Sequence, residues 1–321
     1  MNISQIKNIA VIGLGTMGPG IAQTFAQAGY KVIGYDLNPD AARNSQKVVA
    51  GIVEILKEFD LLSDEQEKAS LNNIAYTDSL ADAVKGADIV VEVVSENRDI
   101  KRAVYSEIGQ HAPAQCQLWS NTSTLNIYEL VPESRLANTI IAHWFAPPHI
   151  VPLVEVVKDP RVSPQTVETT LSILKQLNKI TIVMEKYVPG FAINRIQRHL
   201  GREIFFLLDG GYISPEDLDM AVKASIAPRM MVLGLVQRYD FTGLDLSARN
   251  LADPEFFDPP IDNNPPALAS KIERGDLGVK TGCGFFDYSD RELSEVLKER
   301  DRYLLRVVEN LRFCLEKKRL V

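Results

Sequence analysis

The stretch AVIGLGTMGPGIAQTFAQAGYKVIGYD, Ala10 to Asp36, decides the fold. An aliphatic run ends at Gly13. Gly13, Gly15 and Gly18 then form G-x-G-x-x-G, with Thr16 and Met17 in the loop, and a helical stretch follows. The first glycine permits a tight turn, the second lets backbone approach a pyrophosphate, and the third lets helix and strand pack closely. The helix N-terminus offers free N–H groups and a positive dipole end to phosphates. A second aliphatic run ends at Asp36, whose carboxylate suits a ribose 2′-hydroxyl and repels a 2′-phosphate. Leu37 and Asn38 supply no cation for that phosphate. The unit predicts NAD rather than NADP. Glycines that merely make a turn are the competing reading, and the ordered strand, loop, helix, strand and acid count against it.

Further aliphatic runs occur at 87–94, 116–121, 139–145 and 180–185, with amphipathic stretches such as 18–28 and 42–59 among them. Strands alternating with helices imply a parallel sheet covered on both faces. The character changes at Val188-Pro189-Gly190, a boundary signal. Beyond it the period is helical. SPEDLDMAV, 214–222, has Ser at the N-cap, Pro at N1 and acids in the first turn. Residues 254–266 read as a loop, and the tail from 290 is amphipathic. The predicted architecture is an α/β Rossmann-type parallel-sheet domain over 1–187, then an all-α domain over 188–321.

The 321 residues suit two domains, and 45% hydrophobic with 24% charged residues suits an ordinary globular chain. A net charge of -7 argues against general nucleic-acid or membrane-surface binding. Cys116, Cys283 and Cys314 are scattered and have no metal-ligand spacing, so no metal and a reducing, cytoplasmic compartment are expected. No signal peptide or membrane span is expected.

A dinucleotide domain implies hydride transfer, which needs a base. His111 lies in a polar segment, His149 in a Pro-rich turn, and His199 among Arg195, Arg198 and Arg202. His143 ends an aliphatic strand at its carboxyl edge, where open α/β sheets bind ligands. Glu155 is the one acid in VPLVEVV, and its burial calls for a cationic or hydrogen-bonding partner. A carboxylate on one ring nitrogen fixes the tautomer and frees the other to take a hydroxyl proton. A purely structural His–Glu pair remains the alternative at this point. SNTSTL, 120–125, stands at the same edge, where its polar groups suit either a helix cap or substrate oxygens. Asn194 opens the first helix of the second domain and could face the same cleft.

The pieces VIGLGTMGPGIAQ, VEVVSEN, SNTSTL, HWFAPPHIVPLVEVV, VPGFAINRI, SPEDLDMAV and GVKTGCGFFDY, in this order, resemble the NAD-dependent L-3-hydroxyacyl-CoA dehydrogenases along essentially the whole chain. The resemblance implies that His143 is the general base, that Glu155 orients it, and that Ser123 and Asn194 bind the reacting substrate oxygens. It places Asp36 at the ribose, Glu96 and Lys101 on the cofactor side, and Lys280 at another cofactor contact. It also implies a homodimer made by the all-α domain and a place in fatty acid metabolism.

Two features depart from that pattern. Ala146 stands where the family usually has Asn, near the nicotinamide. The helical excursion after the second strand, which in the family holds CoA phosphates with lysines, has only Arg43, Lys47, Lys57 and Lys68 against six acids over 42–68. PPHIVPLVE and APRMMVLG are similar to a sister branch containing L-gulonate 3-dehydrogenase (lambda-crystallin) and carnitine dehydrogenase, in which Arg229 would suit a free substrate carboxylate. An ordinary surface arginine is the competing reading of Arg229. GVKTGCGFFDY is closer to the acyl-CoA enzymes. The leading expectation is oxidation of a short L-3-hydroxyacyl-CoA to the 3-ketoacyl-CoA. The same chemistry on a free 3-hydroxy acid is the alternative, and a crystallin-like protein without turnover is the third reading.

Overall fold

The aliphatic runs pair into one sheet of eight strands. In the computed structural model, which describes residues 3–315, these are β1 (Asn8–Ile12), β2 (Lys31–Tyr35), β3 (Ile74–Thr77), β4 (Ile89–Glu92), β5 (Gln117–Ser120), β6 (Thr139–Trp144), β7 (Leu153–Val157) and β8 (Ile180–Met184). Their order is β3-β2-β1-β4-β5-β6-β7-β8. Strand order reverses between β1 and β4, so a crevice opens above the carboxyl ends of these strands. Every residue of β4, β5 and β6 is buried, which explains their continuous aliphatic character.

The sheet is not wholly parallel, which corrects the expectation above. β6 and β7 are antiparallel, while β8 runs parallel to β7. The short Phe145–Pro152 connection cannot carry a crossover helix, so the chain must turn straight back. β3 and β7 were not among the predicted strands. β3 has only four residues, and β7 follows β6 too closely to stand out as a separate run.

The first part of the chain also holds α1 (Gly18–Gln27), α2 (Ala41–Glu58), α3 (Asp64–Asn72), α4 (Leu80–Val84), α5 (Arg98–His111) and α6 (Pro164–Gln176), and α7 (Ile193–Asp209) begins in it and continues beyond Arg195. Local chemistry fixes several starts. Ser63 and Gln66 form a reciprocal capping box at α3, and the Asn97 side chain accepts from the Asp99 and Ile100 amides at α5. The Phe25 ring of α1 packs in the core with its centroid 6.1 Å from that of Trp119 and 6.1 Å from that of Trp144, both on the sheet.

The chain divides into two compact units, the first ending at Arg195 and the second beginning at Ile196. The second contains α8 (Pro215–Ala221), α9 (Ala227–Leu233), α10 (Gln237–Thr242), α11 (Leu244–Ala252), α12 (Pro266–Arg274) and α13 (Leu293–Asn310), with a π-helical turn at Val222–Ile226. Ser214 caps α8 by accepting the Asp217 amide. None of α8 to α12 has a buried residue. Among the described residues no helix is long and apolar enough to cross a membrane, and no cluster of side chains could hold a metal ion.

Candidate active site

The glycine loop leaves β1 against β4. Gly13 has φ of 105°, and a Cβ there would stand 2.6 Å from the Val93 carbonyl oxygen. A Cβ on Gly18 would stand 2.0 Å from the Gly13 carbonyl oxygen. Both positions therefore require glycine for close packing. Gly15 differs: a Cβ there meets nothing within 4 Å. Open space lies beside the middle glycine, Thr16 is exposed, Met17 is half-buried, and no side chain caps the N-terminus of α1. Asp36, directly after β2, accepts the Leu14 amide at 2.7 Å on one oxygen and the Asn38 amide at 2.8 Å on the other. The carboxylate is thus tied to the glycine loop itself. An open glycine, an uncapped helix start and an adjacent fixed carboxylate fit a dinucleotide's pyrophosphate and ribose.

Past β4, Glu96 organises the loop that leaves β5. Its Oε1 faces the hydroxyls of Thr122 (2.8 Å), Ser123 (3.2 Å) and Thr124 (2.9 Å) and the amides of Ser123 (3.0 Å) and Thr124 (2.8 Å). Burial pushes its pKa up, but the Thr122 hydroxyl, the Lys101 charge and both Thr124 donors outweigh this and hold it down at about 2. Lys101, which the resemblance puts on the cofactor side together with Glu96, is buried beside it. Its side chain is 1% exposed, and its ammonium sits 2.7 Å from Glu92 and 3.5 Å from Glu96. α5 turns it inwards, and its contact with Glu96 links it to the loop that leaves β5.

His143 and Glu155 form the second cluster. His143 Nδ1 lies 2.9 Å from Glu155 Oε2, and both residues are buried. The other oxygen, Oε1, accepts the Ala192 and Ile193 amides, each at 3.1 Å. Those amides are aimed by two left-handed residues, Gly190 (φ 78°) and Phe191 (φ 51°). A left-handed phenylalanine costs roughly 1–2 kcal/mol, and its ring is fully buried 5.5 Å from the imidazole. Phe145 lies 4.6 Å from the same imidazole.

The two clusters meet through three links. The Trp144 amide, next to His143, donates to Asn121 Oδ1 at 2.8 Å. Asn194, next to Ile193, donates through Nδ2 to the Ser123 carbonyl at 3.4 Å. Tyr187 donates its hydroxyl to the Thr124 carbonyl at 2.7 Å. Ser123 and Asn194 are thus brought together, though through backbone rather than through the Ser123 hydroxyl, which faces Glu96. Ala146 is exposed at this edge and offers no side-chain hydrogen bond. Arg229 and Lys280 belong to the second unit, and both are exposed. Arg229 donates Nε to the Ser225 carbonyl within its own helical segment.

Glu92, Tyr105, Phe191 and Lys179 are absent from the sequence expectations, and Ser120 enters them only as the first residue of SNTSTL. Glu92 carried the same signal as Glu155, a lone acid in an aliphatic run, ADIVVEVV. Phe191 carried none, since a left-handed phenylalanine leaves no compositional trace. Lys179, just before β8, donates to the Pro148 and Val151 carbonyls at 2.5 and 3.1 Å and lies 5.0 Å from the Trp144 ring. Burial lowers its pKa to about 7.

Comparison with known proteins bears on this arrangement. Residues 8–187 match the family described as 3-hydroxyacyl-CoA dehydrogenase, NAD binding domain, and residues 190–288 match the C-terminal domain of the same enzymes. Among curated proteins, a 5-formyl-3-hydroxy-2-methylpyridine 4-carboxylate 5-dehydrogenase of Mesorhizobium japonicum is 34% identical over 94% of this chain and 97% of its own. A probable 3-hydroxybutyryl-CoA dehydrogenase of Bacillus subtilis is 31% identical over 89% of this chain and 99% of its own. Among solved structures, a 5-formyl-3-hydroxy-2-methylpyridine 4-carboxylic acid 5-dehydrogenase, described as an NAD+ dependent dismutase, superposes with a TM-score of 0.84 at 33% identity, over 96% of this chain and 99% of that one.

Proposed function

The chain belongs to the 3-hydroxyacyl-CoA dehydrogenase family, NAD-dependent oxidoreductases acting on CH–OH groups, and from that premise we propose that it oxidises a hydroxyl on a small free carboxylate rather than on a CoA thioester. The observation that carries this reading is the state of the cations on α2 and α3. Lys57 is held by Asp64 at 2.9 Å and Glu67 at 3.0 Å, and Arg43 faces Asp40 at 3.4 Å. Two of the four cations over 42–68 are thus paired, and six acids outnumber all four, so CoA phosphates meet little attraction there. The relative that acts on a pyridine carboxylate supports the same choice. An aldehyde enters this chemistry as its hydrate, which presents a hydroxyl like an alcohol.

The geometry supports the following roles. NAD, when bound, supplies the hydride acceptor. Glu155 accepts Nδ1–H of His143, which leaves Nε2 unprotonated and able to take the hydroxyl proton as the carbon loses hydride. Glu155 then faces the imidazolium that results. Ser123 and Asn194 hold the reacting oxygen, Gly13, Gly15, Thr16, Met17 and Gly18 cradle the pyrophosphate, and Asp36 and Glu96 hold the ribose and nicotinamide sides. We assign the cofactor domain to 1–187 and a substrate and dimerisation domain to 188–321. Arg229 is the candidate anchor for the substrate carboxylate, and Lys280 is a candidate cofactor contact. Val236, Leu251, Phe256 and Phe257 are each at least 70% exposed in the single chain, which supports a homodimer that covers them. The free thiols of Cys116, Cys283 and Cys314 suit a cytoplasmic protein.

The acyl-CoA reading is favoured by the family match and by the Bacillus subtilis relative, and would place the protein in fatty acid metabolism. Initial rates of NADH formation decide between the two. L-3-hydroxybutyryl-CoA is compared with 3-hydroxybutyrate, L-gulonate, carnitine and 5-formyl-3-hydroxy-2-methylpyridine 4-carboxylate. A free acid leading by tenfold or more in kcat/KM supports the proposal, and a thioester lead of that size overturns it.

A further inference from the structure

We propose that Glu92, Lys101, Tyr105 and Ser120 form a buried positioning network that sets the pose of Glu96 and of the 121–124 loop, and through it the placement of Ser123. The inference deepens the reading above and rests on it.

Three elements converge to make the network. Glu92 ends β4, Ser120 ends β5, and Lys101 and Tyr105 lie one turn apart on the inner face of α5. All four residues are at most 1% exposed. Glu92 Oε1 accepts Lys101 Nζ at 2.7 Å and the Val94 amide at 2.9 Å. Its Oε2 faces the Tyr105 hydroxyl at 2.5 Å and the Ser120 hydroxyl at 2.6 Å. One carboxylate thus engages four donors, which is about its full capacity. Burial and the Glu92 charge push the Tyr105 phenol well up, so it remains a donor.

The network has two exits, and both reach the same loop. Ser120 Oγ accepts the Thr122 amide at 3.2 Å. The Lys101 ammonium lies 3.5 Å from Glu96, whose other oxygen accepts from Thr122, Ser123 and Thr124. A buried Glu–Lys pair contributes little net stability beside apolar residues of equal volume. What this pair does supply is a fixed charge beneath Glu96 and a fixed hydroxyl beneath Thr122. Each is a second support for a loop that a catalytic site must hold to within fractions of an ångström.

Tyr105→Phe tests the proposal with the least disturbance, since it removes one hydroxyl and keeps the ring. Ser120→Ala provides an independent variant should the first fold poorly. The double variants with Ser123→Ala complete the cycle. The expected result is a fall in kcat of about tenfold for Tyr105→Phe, a change in NAD Kd below threefold, and no further loss when it is added to Ser123→Ala. A loss that multiplies fully with that of Ser123→Ala would mean that Tyr105 acts elsewhere, and overturns the proposal. So does an unchanged kcat in both Tyr105→Phe and Ser120→Ala. His143→Ala is measured alongside. If it loses activity while both network variants keep theirs, the network alone is refuted. If it keeps full activity, the catalytic reading and the proposal fall together.

Discussion

His143 and Glu155 stand directly opposite each other across the antiparallel β6–β7 pair, with Nδ1 and Oε2 2.9 Å apart. The strand register therefore sets the imidazole against its carboxylate partner, with both on regular strand. Substituting His143→Ala is expected to lower kcat by a factor of about 10²–10⁴, the range typical of a general base. Glu155→Gln keeps the shape but removes the charge facing the imidazolium, so a smaller fall in kcat is expected. NAD affinity from a fluorescence titration should change less than threefold in both. Retention of wild-type kcat by His143→Ala would end the dyad reading.

Asp36 makes a second prediction. Both of its oxygens are already tied to backbone amides, so the carboxylate cannot swing away from an incoming 2′-phosphate. Asp36→Asn removes the repelling charge while keeping one acceptor. The ratio of kcat/KM for NAD over NADP should fall by about tenfold or more, in line with one charged hydrogen bond. Gly18→Ala is the harsher companion: its Cβ would collide with the Gly13 carbonyl oxygen, and NAD binding should be lost.

Lys179 gives stability a pH dependence. Its folded pKa, about 7, lies below the ordinary value of 10.5. Between those values the unfolded chain binds the proton that the folded chain has released, so stability rises with pH across that window. Below about 7 both states are protonated, and the burden of the buried ammonium is at its full size. Lys179→Gln should therefore be relatively more stable near pH 6.5 than near pH 10. Melting curves of the two proteins across that range test it, and parallel curves would remove Lys179 as the cause.

The exposed apolar side chains of the second unit predict self-association. Sedimentation equilibrium should return twice the chain mass of 35.7 kDa. Leu251→Glu combined with Phe256→Glu should shift it towards one chain. A wild-type protein that sediments as a single chain at micromolar concentration would contradict the dimer.

How much of this was legible depended on how local each signal was. The glycine loop and Asp36 could be read because strand, turn, helix and acid follow within one βαβ unit. Glu155 could be read because an acid in an aliphatic run needs a partner. Glu92 offered the same signal, but its partners lie on α5 and β5 and converge only in three dimensions. Lys101 was named through the resemblance alone, and its burial against Glu92 was not legible because sequence spacing does not say which face of a helix turns inwards. The sense of β7 was hidden in a connection whose shortness, rather than its composition, dictates the reversal. Position made Ser123 and Asn194 candidates, but their roles came only from the resemblance, since hydroxyls and amides near a turn are common caps.

The hairpin that carries the dyad also bears on the order in which the molecule assembles. His143 and Glu155 are 12 residues apart along the chain, and the contacts of Glu92 with Ser120 span 28. The bonds tying Lys7 and Asn8 to Asp88 span 81 and 80. Closing a short loop is entropically cheaper and faster than closing a long one. During refolding the imidazole and its carboxylate can therefore meet before β1 docks on β4 and completes the cofactor crevice. Stopped-flow refolding should show Trp144, beside His143 on β6, reporting a faster phase than the recovery of NAD binding. The imidazole proposed to accept the proton would then be in place before the crevice proposed to hold NAD.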